Sequence, residues 1–197
     1  MSGETKLQIL DALEHHKEGL HLRKLAKTVN GSFPNIRRFV QILGEEGVIK
    51  TEHQGNLLNI KLQDSQMTEA YLKMVHTSRL LDLEPKIQDA ISEILKKIRA
   101  KPIITLLTKS GKGEKPGNSW DLVLIFQDLD SKEPIKKIAS GILNEQKIKA
   151  NPVIVDYQEF EKGFLDKENE FSRKIRDDSI IFIGIEYYYN LLWRFLR

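Results

Sequence analysis

The stretch from Leu25 to Lys50, "LAKTVNGSFPNIRRFVQILGEEGVIK", restricts the fold more than any other part of the chain. Leu22, Leu25, Ala26 and Val29 recur at spacings of three and four, the period of a helix with one buried face. Asn30-Gly31 follows at once, and both residues tolerate the left-handed backbone that ends helices. Ser32 is then placed to cap a new helix, Pro34 suits its first turn, and Ile36, Phe39, Val40 and Leu43 supply a second apolar stripe before Gly47. Two helices interrupted at Asn30-Gly31 are therefore expected, the second exposing Asn35, Arg37, Arg38 and Gln41.

An amphipathic pattern from Thr5 to His15 predicts a further helix ahead of this pair. Behind it, Val48 to Glu52 and Leu57 to Leu62 read as strands joined by His53-Gln54-Gly55-Asn56, a hairpin with a turn-forming glycine. Three helices and a hairpin make a winged helix. On the quoted stretch, the region 1–63 resembles the winged helix-turn-helix domains of prokaryotic transcription regulators. The resemblance implies contact with double-stranded DNA through the third helix. Asn35, Arg37 and Gln41 have donors and acceptors suited to base edges, Arg38 and Lys50 suit phosphates, and the helix N-terminus at Ser32 favours an anion. The hairpin residues His53, Gln54 and Asn56 would touch the DNA backbone.

Charge limits this reading. Nine Lys and Arg against seven Asp and Glu in 1–63 leave an excess of two, so one copy is expected to bind DNA weakly at physiological salt and a homodimer to supply the missing affinity. Some winged helices bind proteins instead, and a pure interaction module is the competing reading. The segment 64–84, with Met67, Ala70, Tyr71, Met74, Val75 and Leu81, predicts a helix serving as a connector or dimer helix, or packing on its own chain. His15, His16 and His76 lack a convergent ligand set and are expected at the surface, with no metal bound.

The region 85–197 alternates helical and strand-like segments: Pro85 to Ala100 helical, "PIITLL" and "DLVLIF" as strands, Ile135 to Leu143 helical, "NPVIVDYQEF" containing a strand, Lys167 to Arg176 helical, "SIIFIG" a strand and Ile185 to Arg197 a closing helix. A Walker phosphate loop is absent, because Ser110-Gly111-Lys112-Gly113 has neither the spacing nor the terminal hydroxyl. Lys112-Gly113-Glu114 and Asp121-Leu122, with the strand ending in glycine before the last helix, resemble the minimal nucleotidyltransferase fold of the DNA polymerase beta superfamily. The fold class implied for the whole chain is α+β, a winged helix-turn-helix domain followed by a nucleotidyltransferase-like α/β domain with a small mixed sheet.

In that family, two carboxylates flanking one apolar residue hold magnesium. Here Thr108-Lys109 stands where the family has Gly-Ser, and Ser119 where it has the first carboxylate. Asp121 remains, and Asp156 is the candidate for a third carboxylate. Lys109 and Lys112 are candidate anion-binding residues. The reading is a vestigial site without cofactor, with magnesium only if the alternative, an active nucleotidyltransferase acting on a protein, RNA or small molecule, holds. The chain has no cysteine, which excludes disulfides, thiolate metal sites and a cysteine nucleophile, and suits a cytoplasmic compartment. No apolar run approaches the roughly 20 residues needed to cross a bilayer. The final helix, with Tyr188, Leu191, Leu192, Phe195 and Leu196, is expected to be core, with a subunit interface as the other possibility.

Overall fold

The structure, a computed structural model, describes residues 2–55, 57–110 and 119–197; of Ser2 and Gln54 it describes the backbone. The chain divides into two compact units, Met1–Val75 and His76–Arg197. In the first, α1 (Ser2–Glu14), α2 (Leu22–Thr28) and α3 (Phe33–Glu45) pack beside an antiparallel sheet of β1 (Leu20–His21), β2 (Ile49–Gln54) and β3 (Leu57–Leu62), ordered β1-β3-β2. The stripes read from the sequence converge: Ile9, Leu13, Leu25, Ile36, Leu43 and Ile60 share one core. The two-residue β1 was not expected, since so short a strand shows no alternation. It depends on Gly19, whose φ is +91° and whose added Cβ would lie 2.7 Å from the Ile60 carbonyl oxygen. Only glycine lets the chain pass so close and set Leu20 opposite Ile60.

The segment 64–84 is shared between the units, because the division falls inside α4 (Gln66–Leu81). Its first turns are tied to the first unit: Ser65 Oγ donates to the Gly47 carbonyl at 2.8 Å, Thr68 Oγ1 donates to the Val48 carbonyl at 2.9 Å, and Val75 joins the core. Lys6, Glu46 and Tyr71 form a closed hydrogen-bonded ring, with Lys6 Nζ 2.6 Å from Glu46 Oε1 and 3.1 Å from the Tyr71 hydroxyl, which donates to Glu46 Oε2 at 2.9 Å. The Lys6 ammonium, with help from Tyr71, holds the Glu46 carboxyl below its ordinary value.

His76 corrects the expectation of a surface histidine. It is 1% exposed, accepts from the Ile181 N–H through Nδ1 at 3.3 Å, and so presents Nε2–H to the Tyr189 hydroxyl at 3.1 Å. His15 is exposed and His16 half-buried, each Nδ1 donating to the carbonyl four residues earlier at 2.9 Å.

The second unit is a mixed sheet between two helical layers. Strands β4 (Ile104–Lys109), β5 (Trp120–Phe126), β6 (Ala150–Asp156) and β7 (Ser179–Ile183) lie in the order β6-β5-β4-β7. β5 and β6 are parallel, connected through α6 (Glu133–Glu145); the other pairs are antiparallel. Leu122, Leu124 and Phe126 face α6 and α5 (Pro85–Lys97), in one core with Ile91, Ile94 and Ile142. The alternate residues Val123 and Ile125 face the other way, and α7 (Tyr157–Leu165), α8 (Glu170–Asp177) and α9 (Ile185–Leu196) pack on the sheet. An edge-to-face series of rings, Phe164 on Tyr188 and Tyr188 on Tyr189, knits α7 to α9. Of the apolar face of the last helix, Tyr188, Leu191 and Leu192 are buried as the core reading expects, whereas Phe195 is half-buried and Leu196 exposed.

Gly184 makes the turn from β7 into α9 at φ +74°, its backbone so close to Ile103 that an added Cβ would meet that carbonyl oxygen at 1.9 Å. The helix α7 was not expected, because it follows β6 directly with no turn residue between Asp156 and Tyr157. No helix of the described residues is long and apolar enough to cross a membrane.

Candidate functional site

Helix α3 follows the turn at Asn30, whose φ is +49°, and its buried residues Ile36, Phe39, Val40 and Leu43 fix its opposite face outward. Ser32 stands at the N-cap with extended backbone, but no side chain caps the helix, so the hydroxyl expected to cap it is left at the surface. The helix's leading amides remain open to an anion. Arg37, Arg38 and Gln41 are exposed and Asn35 is half-buried. Arg38 lies 4.9 Å over the Phe39 ring and reaches Asn35 Oδ1 at 3.4 Å, while Gln41 Nε2 donates to Glu45 at 3.0 Å. Arg37 has no hydrogen bond or ion pair among the described residues.

The hairpin is less open. Lys50, expected on a phosphate, is 3.0 Å from Glu52, which Lys61 also approaches at 3.7 Å. These cations, Lys50 first, hold the Glu52 carboxyl below its ordinary value. His53 is exposed; Asn56 and the Gln54 side chain lie outside the described residues.

Two features of this surface were missed in the sequence. From Leu20 to Gly44 the chain has Arg23, Lys24, Lys27, Arg37 and Arg38 and no Asp or Glu. All five cations are exposed, on α2 and α3, so the weak overall excess hides a locally unopposed one. A sliding charge count would have found it. The second is Phe33, 41% exposed at the start of α3.

In the second unit, the strand ends separate the two candidate carboxylates. Asp121 opens β5, pairing with Thr108 on β4 and Asn151 on β6, whereas Asp156 ends β6 opposite Phe126. Five residues of parallel register place them roughly 17 Å apart along the sheet, so Asp156 cannot share a metal site with Asp121. Asp156 is held by Lys132 at 2.9 Å, and Lys132 also reaches Glu159 at 2.8 Å. These two carboxylates, Glu159 first, raise the Lys132 ammonium above its usual value.

Among the described residues, the strand partners of Asp121, Thr108 and Asn151, are uncharged. Asn151 Nδ2 donates to its carboxylate at 3.2 Å, and Thr108 Oγ1 donates to the Asp178 carbonyl at 2.7 Å. Ser119, two residues before Asp121, adds no charge. Among the described residues, no three His, Asp or Glu side chains converge as a metal site. Lys109, expected near an anion, pairs with Asp178 at 3.1 Å. Lys112 lies outside the described residues.

No family model matches the chain, and no curated protein matches it. Among solved structures, the chain is similar to AF1382 from Archaeoglobus fulgidus at 15% identity and a TM-score of 0.37, over 41% of this chain and 91% of that one.

Proposed function

We propose that the chain is a DNA-binding protein, a transcriptional regulator or nucleoid-associated protein, acting as a cytoplasmic homodimer. In this reading its first unit is a winged helix-turn-helix domain with α3 as the recognition helix. The observation that carries the reading is the run from Leu20 to Gly44, which holds five exposed cations and no acid around an uncapped helix start, the first acid, Glu45, coming at the far end of α3. Phosphates are the polyanion that such a surface neutralises, and base edges are what Arg37 and Gln41 can read. A twofold pair would offer two such helices about 34 Å apart, one turn of the duplex.

The second unit is proposed as a nucleotidyltransferase-like domain without catalytic activity, used for dimerisation or ligand sensing. Support comes from Asp121, whose strand neighbours are an amide and a hydroxyl instead of carboxylates. Binding of random and genomic duplexes should be measured by gel shift at several salt concentrations. Changing Arg37 and Arg38 together to alanine should weaken binding and reduce the slope of log affinity on log salt by about two, one for the phosphate contact of each Arg38 in the homodimer. An unchanged affinity and slope would remove α3 from the DNA site.

A further inference from the structure

Helix α3 exposes an apolar ring beside its polar row. Phe33, Arg37 and Gln41 are spaced four residues apart, so the three side chains stand in one ridge along the helix. The first member of that ridge is the large apolar side chain that α3 leaves exposed. Phe33 is 41% exposed, whereas Phe39, six residues on, is 3% exposed in the core. The exposed part of the ring adds nothing to the fold, because only apolar area removed from water stabilises it. Its neighbours in the ridge are a cation without a partner among the described residues and an amide, both groups that read bases.

We propose that Phe33 is a specificity-determining residue that packs on the C5-methyl group of a thymine in the major groove. The inference rests on the DNA-binding reading of α3. Of the four base pairs, only those containing thymine present an apolar group in that groove, and a phenyl ring is one of its recognised partners. Charge selects the occupant: Phe33 and Arg37 lie within the run of five cations and no acid from Leu20 to Gly44, and the first acid on the ridge, Glu45, stands at the end of α3 away from Phe33, which suits a polyanion better than a protein surface. The N-terminal residues of a recognition helix are those that meet base edges, and Phe33 is the first residue of α3.

The test removes the methyl and leaves every hydrogen-bonding group in place. The full chain is used to select preferred sites from a pool of random 20-base-pair duplexes. Each thymine of the selected site is then replaced singly by deoxyuridine. At one position in each half-site the replacement should weaken binding about fourfold, the worth of one buried methyl group. Phe33→Ala should bind thymine and deoxyuridine alike at those positions. Circular dichroism should show unchanged helix content, since Phe33 is not a member of the buried core of the first unit, and Phe33→Leu should restore part of the discrimination.

Equal affinity of the wild-type chain for every deoxyuridine duplex overturns the inference and leaves the DNA reading intact. A deoxyuridine penalty that persists in Phe33→Ala does the same. A change in mass by light scattering in Phe33→Ala, without any deoxyuridine effect in the parent, assigns the ring to a protein contact and also overturns it. Absence of binding to any duplex removes both readings together.

Discussion

Gly184→Ala is expected to be among the most damaging single substitutions in the second unit. The residue sits in the left-handed region, at φ +74° and ψ 37°, where a Cβ costs about 1–2 kcal/mol. The added atom would also lie 1.9 Å from the Ile103 carbonyl oxygen, about 1 Å inside the closest approach such atoms make. Ile103 is not free to retreat: its N–H donates to the Ile125 carbonyl at 2.8 Å, and Ile104 begins β4 directly after it. Forcing that backbone outward resembles overpacking a core, which costs roughly 1–3 kcal/mol. The sum, about 2–5 kcal/mol, is a large share of a domain's stability.

Urea unfolding followed by tryptophan fluorescence measures it selectively, because both tryptophans, Trp120 and Trp193, are in the second unit. At about 4 °C per kcal/mol for a domain of this size, thermal unfolding should fall by roughly 8–20 °C. Gly141→Ala is the matched control. It lies inside α6 with nothing within 4 Å of an added Cβ, and should gain about 0.8 kcal/mol from helix propensity. A Gly184→Ala protein within 1 kcal/mol of the parent would refute the reasoning, because the left-handed turn alone should exceed that.

Three further outcomes are expected. Because Lys6 and Tyr71 depress the Glu46 carboxyl, its contribution is present above the ordinary glutamate value of about 4.3 and is lost as pH falls towards the depressed one. Stability curves from pH 5 to 3 should therefore drop by about 0.5–1 kcal/mol more for the parent than for Glu46→Gln, and parallel curves would deny the ring any role. Nitrogen chemical shifts should report His76 as the Nε2–H tautomer, since the Ile181 N–H occupies Nδ1; the opposite tautomer would contradict that hydrogen bond. Calorimetry with magnesium and a non-hydrolysable nucleoside triphosphate should show no metal-dependent affinity; tight binding abolished by Asp121→Asn would restore the enzyme reading.

Periodicity made α3, α5, α6 and α9 legible, because each buries a stripe at spacings of three and four that no other structure would use. The polar row on α3 followed from the same stripe, as the residues left over once the buried ones were assigned. Long-range pairing was not legible. His76 lies in the polar run "HTSR", and its partners Ile181 and Tyr189 are more than a hundred residues away. The separation of Asp121 from Asp156 depends on the register between β5 and β6, which no local pattern encodes. Phe33 escaped notice because a phenylalanine beside a helix start reads as apolar anchoring, and only the orientation of α3 turns it outward.

The ion pairs on the hairpin also bear on what the edge of the first unit's sheet can do. β2 is the outermost strand of its sheet on that side, with a row of backbone groups facing away from β3. Exposed, uncharged strands of this kind recruit matching strands from other molecules. Here Lys50 and Lys61 stand directly opposite each other, bridged by Glu52, so a second β2 would have to bury or break that cluster. Strand addition through β2 is therefore disfavoured, which guards this edge of the first unit's sheet against edge-to-edge aggregation.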